Sequence, residues 1–317
     1  MYMHALSEKR YQKELQFRIV GAIENGDSKL VQELIDKGVN TNATILLVKT
    51  PLIHALEQFP YNYDVVSALI NAQGTDVNLR EKTPWGKKPL HDIAYIGSIE
   101  LAELIVAKEN CDIDMRDNGG TTPLHFTARY GHANLACFLL DHGADMNAQD
   151  DCGRTALHRA CENHHLHVAE KLLERGMNID STDNYSWTPI FHAIFFGHIS
   201  VIHFLLKHGA NIKVKDMYGH SLVHIACYNS LSEIHRHKFP ELVALKTSFD
   251  YYQRKKKIPS EEFQDLLLMG LSCKMIYDNY WMFEVVKTLV NTGIDPKVYP
   301  TDDIYCLEMS GNYLGSF

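Results

Sequence analysis

Along most of the chain the apolar residues fall in two short bursts that recur together. In TPLHFTARYGHANLACFLLDHGADMNA, from Thr122 to Ala148, Leu124 and Ala128 lie about one helical turn apart. A Gly-His turn follows, then Leu135, Ala136, Leu139 and Leu140 lead up to Gly143. Apolar residues three and four apart predict amphipathic helices with one stripe turned to a core. The stretch therefore reads as a short helix, a turn and a second short helix. Thr122 can cap the first, whose opening turn tolerates Pro123, because proline lacks only an N–H that would be orphaned there. Gly143 ends the second, where a left-handed residue is needed. In HAIFFGHISV, from His192 to Val201, Phe195 and Phe196 stand side by side. Neighbours on a helix lie about 100° apart, so both rings cannot share one narrow buried stripe.

The bursts repeat. TPLIHAL, KPLHDIA, TPLHFTA, TALHRAC, TPIFHAI and SLVHIAC begin at Thr50, Lys88, Thr122, Thr155, Thr188 and Ser221, at spacings of 38, 34, 33, 33 and 33 residues. FRIVGAIENG, from Phe17 to Gly26, carries the pattern one period earlier. Gly38, Gly176 and Gly209 repeat the place of Gly143, and small Ala128, Ala160, Ala193 and Ala226 let paired helices approach. No such unit can bury its stripe alone, so neighbours must stack.

With TPLH opening one helix and HGAD closing the next, the chain resembles the ankyrin-repeat family over roughly residues 10 to 230. The resemblance implies an all-α ankyrin-repeat solenoid of helix-turn-helix units with β-hairpin-like finger loops. Units fall near 10–44, 45–82, 83–117, 118–150, 151–183, 184–216 and 217–230 within a repeat domain at 1–230. Two departures stand out. In TPLIHAL and TPIFHAI the histidine slides one place, to His54 and His192, which puts the family's Thr–His hydrogen bond in doubt there. The second unit carries five extra residues ahead of Lys88, and REKTPWGKK reads as a longer finger.

After Tyr228 the period fails. A helical pattern runs about Pro240 to Lys256, and another follows Pro259 in PSEEFQDLLLMGLSCKMI, with proline and acids in its first turn. FEVVKTLVNTGID, from Phe283 to Asp295, restores the second-helix signature. The reading is a helical insertion at 231–281, then a degenerate terminal repeat and tail at 282–317 that cap the stack.

Composition narrows the class. Of 317 residues, 45% are hydrophobic and 22% charged, ordinary for a globular protein with ample core material. A net charge of −8 argues against general nucleic-acid binding, which needs a basic surface. Seven cysteines without CxxC spacing suit reduced thiols. The opening MYMHALSEKRYQKELQ lacks the apolar core of a signal peptide, and no run of about 18 apolar residues occurs. The expectation is a cytoplasmic chain, monomeric alone, with no membrane span, a nuclear location remaining open. No cofactor or metal is expected.

In members of the family the partner meets the finger tips and the inner face of the first helices. Carried onto this sequence, those places hold Trp85, Tyr95 and Ile96, then Arg129 and Tyr130, then Glu162 and Asn163. Tyr185, Trp187, Phe195 and Phe196 follow, and then Met217, Tyr218 and Tyr228. Aromatic residues, Met and Arg are the types that anchor interfaces. The function expected is non-catalytic protein–protein interaction by an adaptor, a scaffold or an effector sent into a host cytosol. Two plainer readings of the rings stay open: cover by the chain's own insertion or tail, and ordinary surface exposure.

The runner-up is an enzyme with Cys273 or Cys306 as nucleophile and His235 or His237 as base, its repeats recruiting the substrate. No catalytic signature surrounds them, and Cys273 in LLLMGLSCKMI reads as core. Arg254, Lys255, Lys256 and Lys257 form the one dense basic run, fit for nuclear import or acidic lipid, or simply a solvated helix end. Cys161, His164, His165 and His167 cluster in CENHHLHVAE, but His165 takes the turn position and Cys161 a packed small-residue position, so no zinc site is expected. The resemblance also places Asn147, after Leu139 and Asp145, where some members are hydroxylated.

Overall fold

A computed structural model describes residues 2–45, 48–222 and 225. Tyr228, the basic run at 254–257, the insertion at 231–281 and the terminal repeat at 282–317 lie outside the described residues, as do Cys227, Cys273, Cys306, His235 and His237. The chain divides into two compact parts, residues 1–192 and 193–317.

In the first part, helices come in consecutive pairs. These are α1 (Tyr2–Glu24) with α2 (Ser28–Asp36), α3 (Pro51–Leu56) with α4 (Tyr63–Asn71), and α5 (Pro89–Ile96) with α6 (Ile99–Val106). Then come α7 (Pro123–Tyr130) with α8 (Ala133–Asp141) and α9 (Ala156–Glu162) with α10 (Leu166–Glu174). First helices pack on first helices, second on second, and each pair on itself, giving two layers. Leu90, Ile93, Leu101, Ile105, Leu135 and Leu139 fill the space between them and are fully buried. Ala128 and Ala160 are buried as well, so their small side chains set how closely the layers meet. Next come α11 (Pro189–Phe195) and α12 (Ile199–Lys207). Among the described residues strand pairing is limited to two isolated bridges, Ile45 to Lys49 and Lys215 to Ser221, each at the base of a finger.

Local chemistry sets the helix ends. Thr50, Thr122 and Thr155 stand before the first helices in extended backbone, with Pro51 and Pro123 directly after two of them. Asp27, Asn62 and Ser98 cap second helices by accepting the N–H of Leu30, Val65 and Leu101 at 3.0, 3.2 and 3.3 Å. Gly143 takes φ +93° after α8, the left-handed turn expected there.

The five extra residues of the second unit do not all sit in its finger. Thr50 to the α4 cap Asn62 is 12 residues, against 10 from Thr122 to the α8 cap His132. Two residues therefore lengthen the helix-to-helix turn, at Phe59 and Pro60. One lies after α4, where Asn62 to Gly74 is 12 residues against 11 from His132 to Gly143. The remaining two lengthen the finger, which Glu81 N–H closes on the Lys87 carbonyl, six residues apart, where Asp117 reaches Thr121 in four.

Candidate functional site

Fingers are built on a repeated acid. Asp117 Oδ1 accepts the N–H of Gly119 and Thr121 at 2.8 and 2.9 Å, and Asp150 Oδ1 accepts those of Cys152 and Arg154, both at 2.9 Å. Asp183 does the same for Tyr185 and Trp187, both at 2.9 Å. In the longer finger Glu81 takes the place, its extra methylene reaching the Thr83 hydroxyl at 2.5 Å and the Lys87 N–H at 3.2 Å. Successive tips are joined by backbone bonds. Lys82 N–H donates to Val48, Asn118 to Trp85, Asp151 to Gly119 and Asn184 to Cys152, at 2.7 to 3.0 Å.

Histidines tie fingers to helices. Thr122 donates to His125 Nδ1, by its N–H at 3.2 Å and its hydroxyl at 2.8 Å, so the ring's Nε2–H donates to the Arg154 carbonyl at 2.8 Å. His158 repeats this between Thr155 and the Trp187 carbonyl, and His91 between the Lys88 N–H and the Thr121 carbonyl. Both ring nitrogens are satisfied only in the neutral form. Burial pushes His125 down to about 4, and burial with neighbouring His192 pushes His158 down to about 3. The turn histidines form a second ladder: His132 Nε2 meets the Tyr95 carbonyl and His165 Nε2 the Arg129 carbonyl, both at 2.9 Å.

After the TPLH histidine His158, the next residue faces the finger acid. Arg159 Nη2 lies 2.6 Å from Asp150 Oδ2, with Arg154 Nε at 3.3 Å from the same oxygen and Glu162 Oε2 3.1 Å from Arg159 Nη1. Burial raises the Asp150 carboxyl, but Arg159 and the Arg154 N–H outweigh it and hold it low. The slid histidines occupy this same place. His192 Nε2 meets Asp183 Oδ2 at 3.0 Å, and His54 Nε2 stands 3.5 Å from Glu24 Oε1. At Thr188 the vacated histidine position holds Phe191, fully buried.

That exchange corrects one expectation. Trp187, read as an exposed finger residue, is only 6% exposed and stacks on Phe191 at 5.8 Å. Trp187 thus packs as core on the ring that stands in the histidine position.

The other expected contact residues lie as follows. Trp85 is 72% exposed at the tip of the longer finger. Tyr95, at the end of α5, and Tyr130, at the end of α7, are 55% and 38% exposed and meet edge to face at 4.7 Å. Arg129 is exposed, its guanidinium 5.8 Å from the Tyr130 ring centroid. Phe126, half-buried, lies 6.1 Å from Tyr130 and 5.2 Å from His91, and so joins this group. Sequence reading missed it, although it stands one helical turn before Tyr130 on α7. Tyr185 is half-buried.

In the second part, half-buried Phe195 and exposed Phe196 meet edge to face at 5.0 Å, and Phe196 stacks with His198 at 6.1 Å. Met217 and Tyr218 are exposed on the finger that Asp216 builds by accepting the N–H of Tyr218 and His220. Asn147 is exposed, its N–H bonded to Asp145 Oδ1 at 2.8 Å. Cys161 is buried, which raises its thiol, and His165 serves the turn ladder. Among the described residues no three His, Cys, Asp or Glu side chains converge to hold a metal ion, and no helix is long and apolar enough to cross a membrane.

A family model of ankyrin repeats, three copies in length, matches residues 58–150 and 142–216. Human protein phosphatase 1 regulatory subunit 27 is 38% identical over 68 residues, 22% of this chain and 44% of the relative. An ankyrin repeat protein of fowlpox virus is 27% identical over 124 residues, 39% of this chain and 62% of the relative. The 26S proteasome non-ATPase regulatory subunit 10 of Dictyostelium discoideum is 32% identical over 79 residues, 25% and 33% of the two chains. The chain spans less than two thirds of the length of each of these relatives.

Proposed function

The chain belongs to the ankyrin-repeat family, and on that premise we propose that it is a non-catalytic recognition module, holding a partner protein by its finger tips and the finger-facing side of its first helices. One observation carries the reading. The backbone of the fingers and turns is satisfied by internal ladders, while Trp85, Tyr95 and Tyr130 keep much of their area in water and Arg129 lies over Tyr130. Large apolar rings with little side-chain entropy to lose are the groups that contribute most at interfaces, about 2 kcal/mol or more when fully desolvated. Phe195, Phe196, Met217 and Tyr218 extend the same residue types to the second part of the chain. Two relatives are named as regulatory subunits, of a phosphatase and of a proteasome, which agrees with an adaptor role.

The test is affinity capture from cell lysate with the wild-type chain and with Tyr95→Ala/Tyr130→Ala, after both are found to melt alike. A protein retained by the first and lost by the second supports this surface as the binding site. Equal capture sinks it.

A further inference from the structure

We infer that the partner segment received by the second, third and fourth fingers is acidic, an extended peptide stretch carrying glutamate or aspartate beside apolar residues. The inference rests on the recognition reading above and adds the partner's charge.

The first observation is how the charges on this side are used. Its acids are almost all engaged within the protein. Glu81 and Asp117 are bound to finger N–H groups, Asp92 pairs with Lys87 at 2.5 Å, and Asp150 and Glu162 hold Arg154 and Arg159. Its exposed cations are not matched in this way. Arg80 spends its guanidinium on the Asn118 side chain and the Arg116 carbonyl, at 2.6 and 3.1 Å. Arg116 donates to the carbonyls of Gly120 and Gln149, at 3.1 and 2.7 Å. Arg129 lies over Tyr130, and Lys82 is exposed on the finger that carries Trp85. Among the described residues none of these four side chains makes an ion pair with a carboxylate, and Asp151 is the exposed acid of these tips. Four exposed cations therefore belong to the same fingers and first helices as the three exposed rings.

The second observation is the contrast with the rest of the same repeats. The second-helix segment from Gly97 to Met115 carries Glu100, Glu103, Glu109, Asp112 and Asp114 against Lys108 alone. In a chain of net charge −8, the exposed cations of these fingers thus stand opposite an acidic second-helix segment of the same repeats. Complementary charge steers encounter and rejects like-charged partners. A nucleic-acid strand would also meet cations and rings. However, duplex DNA carries a charge about every 1.7 Å, and the net charge of −8 repels so dense a polyanion. A short peptide with a few carboxylates answers the four cations without that repulsion.

The experiment is a fluorescence-anisotropy titration of the full chain with two labelled peptides of equal length. One is composed of glutamate, leucine and phenylalanine, the other of lysine, leucine and phenylalanine. The acidic peptide is expected to bind about tenfold or more tightly than the basic one, with affinity falling as salt rises. Lys82→Glu/Arg129→Glu should erase the difference, and Lys82→Gln/Arg129→Gln should give an intermediate affinity while retaining the wild-type melt. Equal binding of both peptides, a preference for the basic one, or acidic binding that survives charge reversal overturns the inference. Tighter binding of a single-stranded oligonucleotide overturns it too. If the basic peptide is preferred and Tyr95→Ala/Tyr130→Ala removes it, the recognition reading stands and only the charge assignment falls.

Discussion

Ser186 stands at φ +62° in a finger turn where Gly120 and Gly153 stand at +70° and +76°. A side chain in the left-handed region costs roughly 1–2 kcal/mol, and glycine gives part of that back as unfolded-chain entropy. Ser186→Gly is therefore expected to stabilise the protein slightly, by about 0.5 kcal/mol in urea titration. Adding a side chain at the same turn position two fingers earlier should cost more. A Cβ on Gly120 would sit 2.3 Å from Asp151 Oδ1 and 2.9 Å from the Asp151 backbone nitrogen, so Gly120→Ala adds a clash to the strain. A loss of about 2 kcal/mol is expected, and a loss below that of an ordinary surface substitution would show that the tips are free to shift apart. Trp187 makes a different case at the same scale. Its ring is buried and stacked on Phe191, so Trp187→Ala should cost about 3–5 kcal/mol in stability. An exposed contact residue such as Trp85 should cost less than about 1 kcal/mol on the same change.

Three fingers are joined to a first helix by a side-chain pair, and the helix member always stands four residues after the capping position. Asp150 with Arg159, Asp183 with His192 and Lys87 with Asp92 all bridge the same gap. Breaking one member strands the others. Asp150→Ala would leave Arg154 and Arg159, both nearly buried, with only Glu162, at an expected cost of about 3 kcal/mol or more. Restoring stability by adding Arg154→Leu and Arg159→Met to that variant would show the loss to be stranded charge rather than a missing finger scaffold. If the triple variant stays as unstable as the single one, the Asp150 bonds to backbone N–H dominate instead. This layer was only partly legible in the sequence. The helix pairs follow from apolar spacing and from Thr and Gly at their ends, because local periodicity determines them. The recurrence of Asp117, Asp150 and Asp183 at intervals of 33 was visible too, but its meaning lies in backbone N–H groups that close only in the folded hairpin. The slid histidines looked like lost bonds, whereas the position nine residues after the finger acid is a pairing site of its own, at Arg159 and at His192 alike. The extra residues before Lys88 were misplaced for a related reason: an insertion changes the period equally wherever it sits, and the polar run in REKTPWGKK drew all five to the finger. In the candidate site, exposed Trp85, Tyr95 and Tyr130 could be read from the repeat phase, but Phe126 and Trp187 depend on what their neighbours offer.

At the scale of the whole fold the repeated histidines make stability depend on pH, because each is buried in a form that acid removes. His125 is held down to about 4, His158 to about 3, and burial lowers His91 as well, against about 6.5 in an unfolded chain. As pH falls below about 6.5 the unfolded chain takes up these protons and the folded one does not, so stability is lost from there down to the folded values. His125 and His158 each contribute a slope of about 1 kcal/mol per pH unit, and His91 adds to it in the same direction. Asp92 works the other way. Burial, only partly offset by Lys87, raises it from 3.8 to about 6, so its folded form binds a proton first and regains stability as pH falls from about 6 toward 3.8. One carboxyl cannot cancel two such rings with His91 beside them, and the net slope between pH 6 and pH 5 should be a loss of roughly 1–2 kcal/mol per unit. Urea midpoints followed by circular dichroism from pH 7 to pH 5 should therefore fall steadily. His158→Gln is expected to lower stability at pH 7, by breaking the link from Thr155 to the Trp187 carbonyl, yet to flatten the slope by about one ring's share. An unchanged slope in that variant would mean that acid acts elsewhere, and that the ladder is built from histidine for its hydrogen-bond geometry alone.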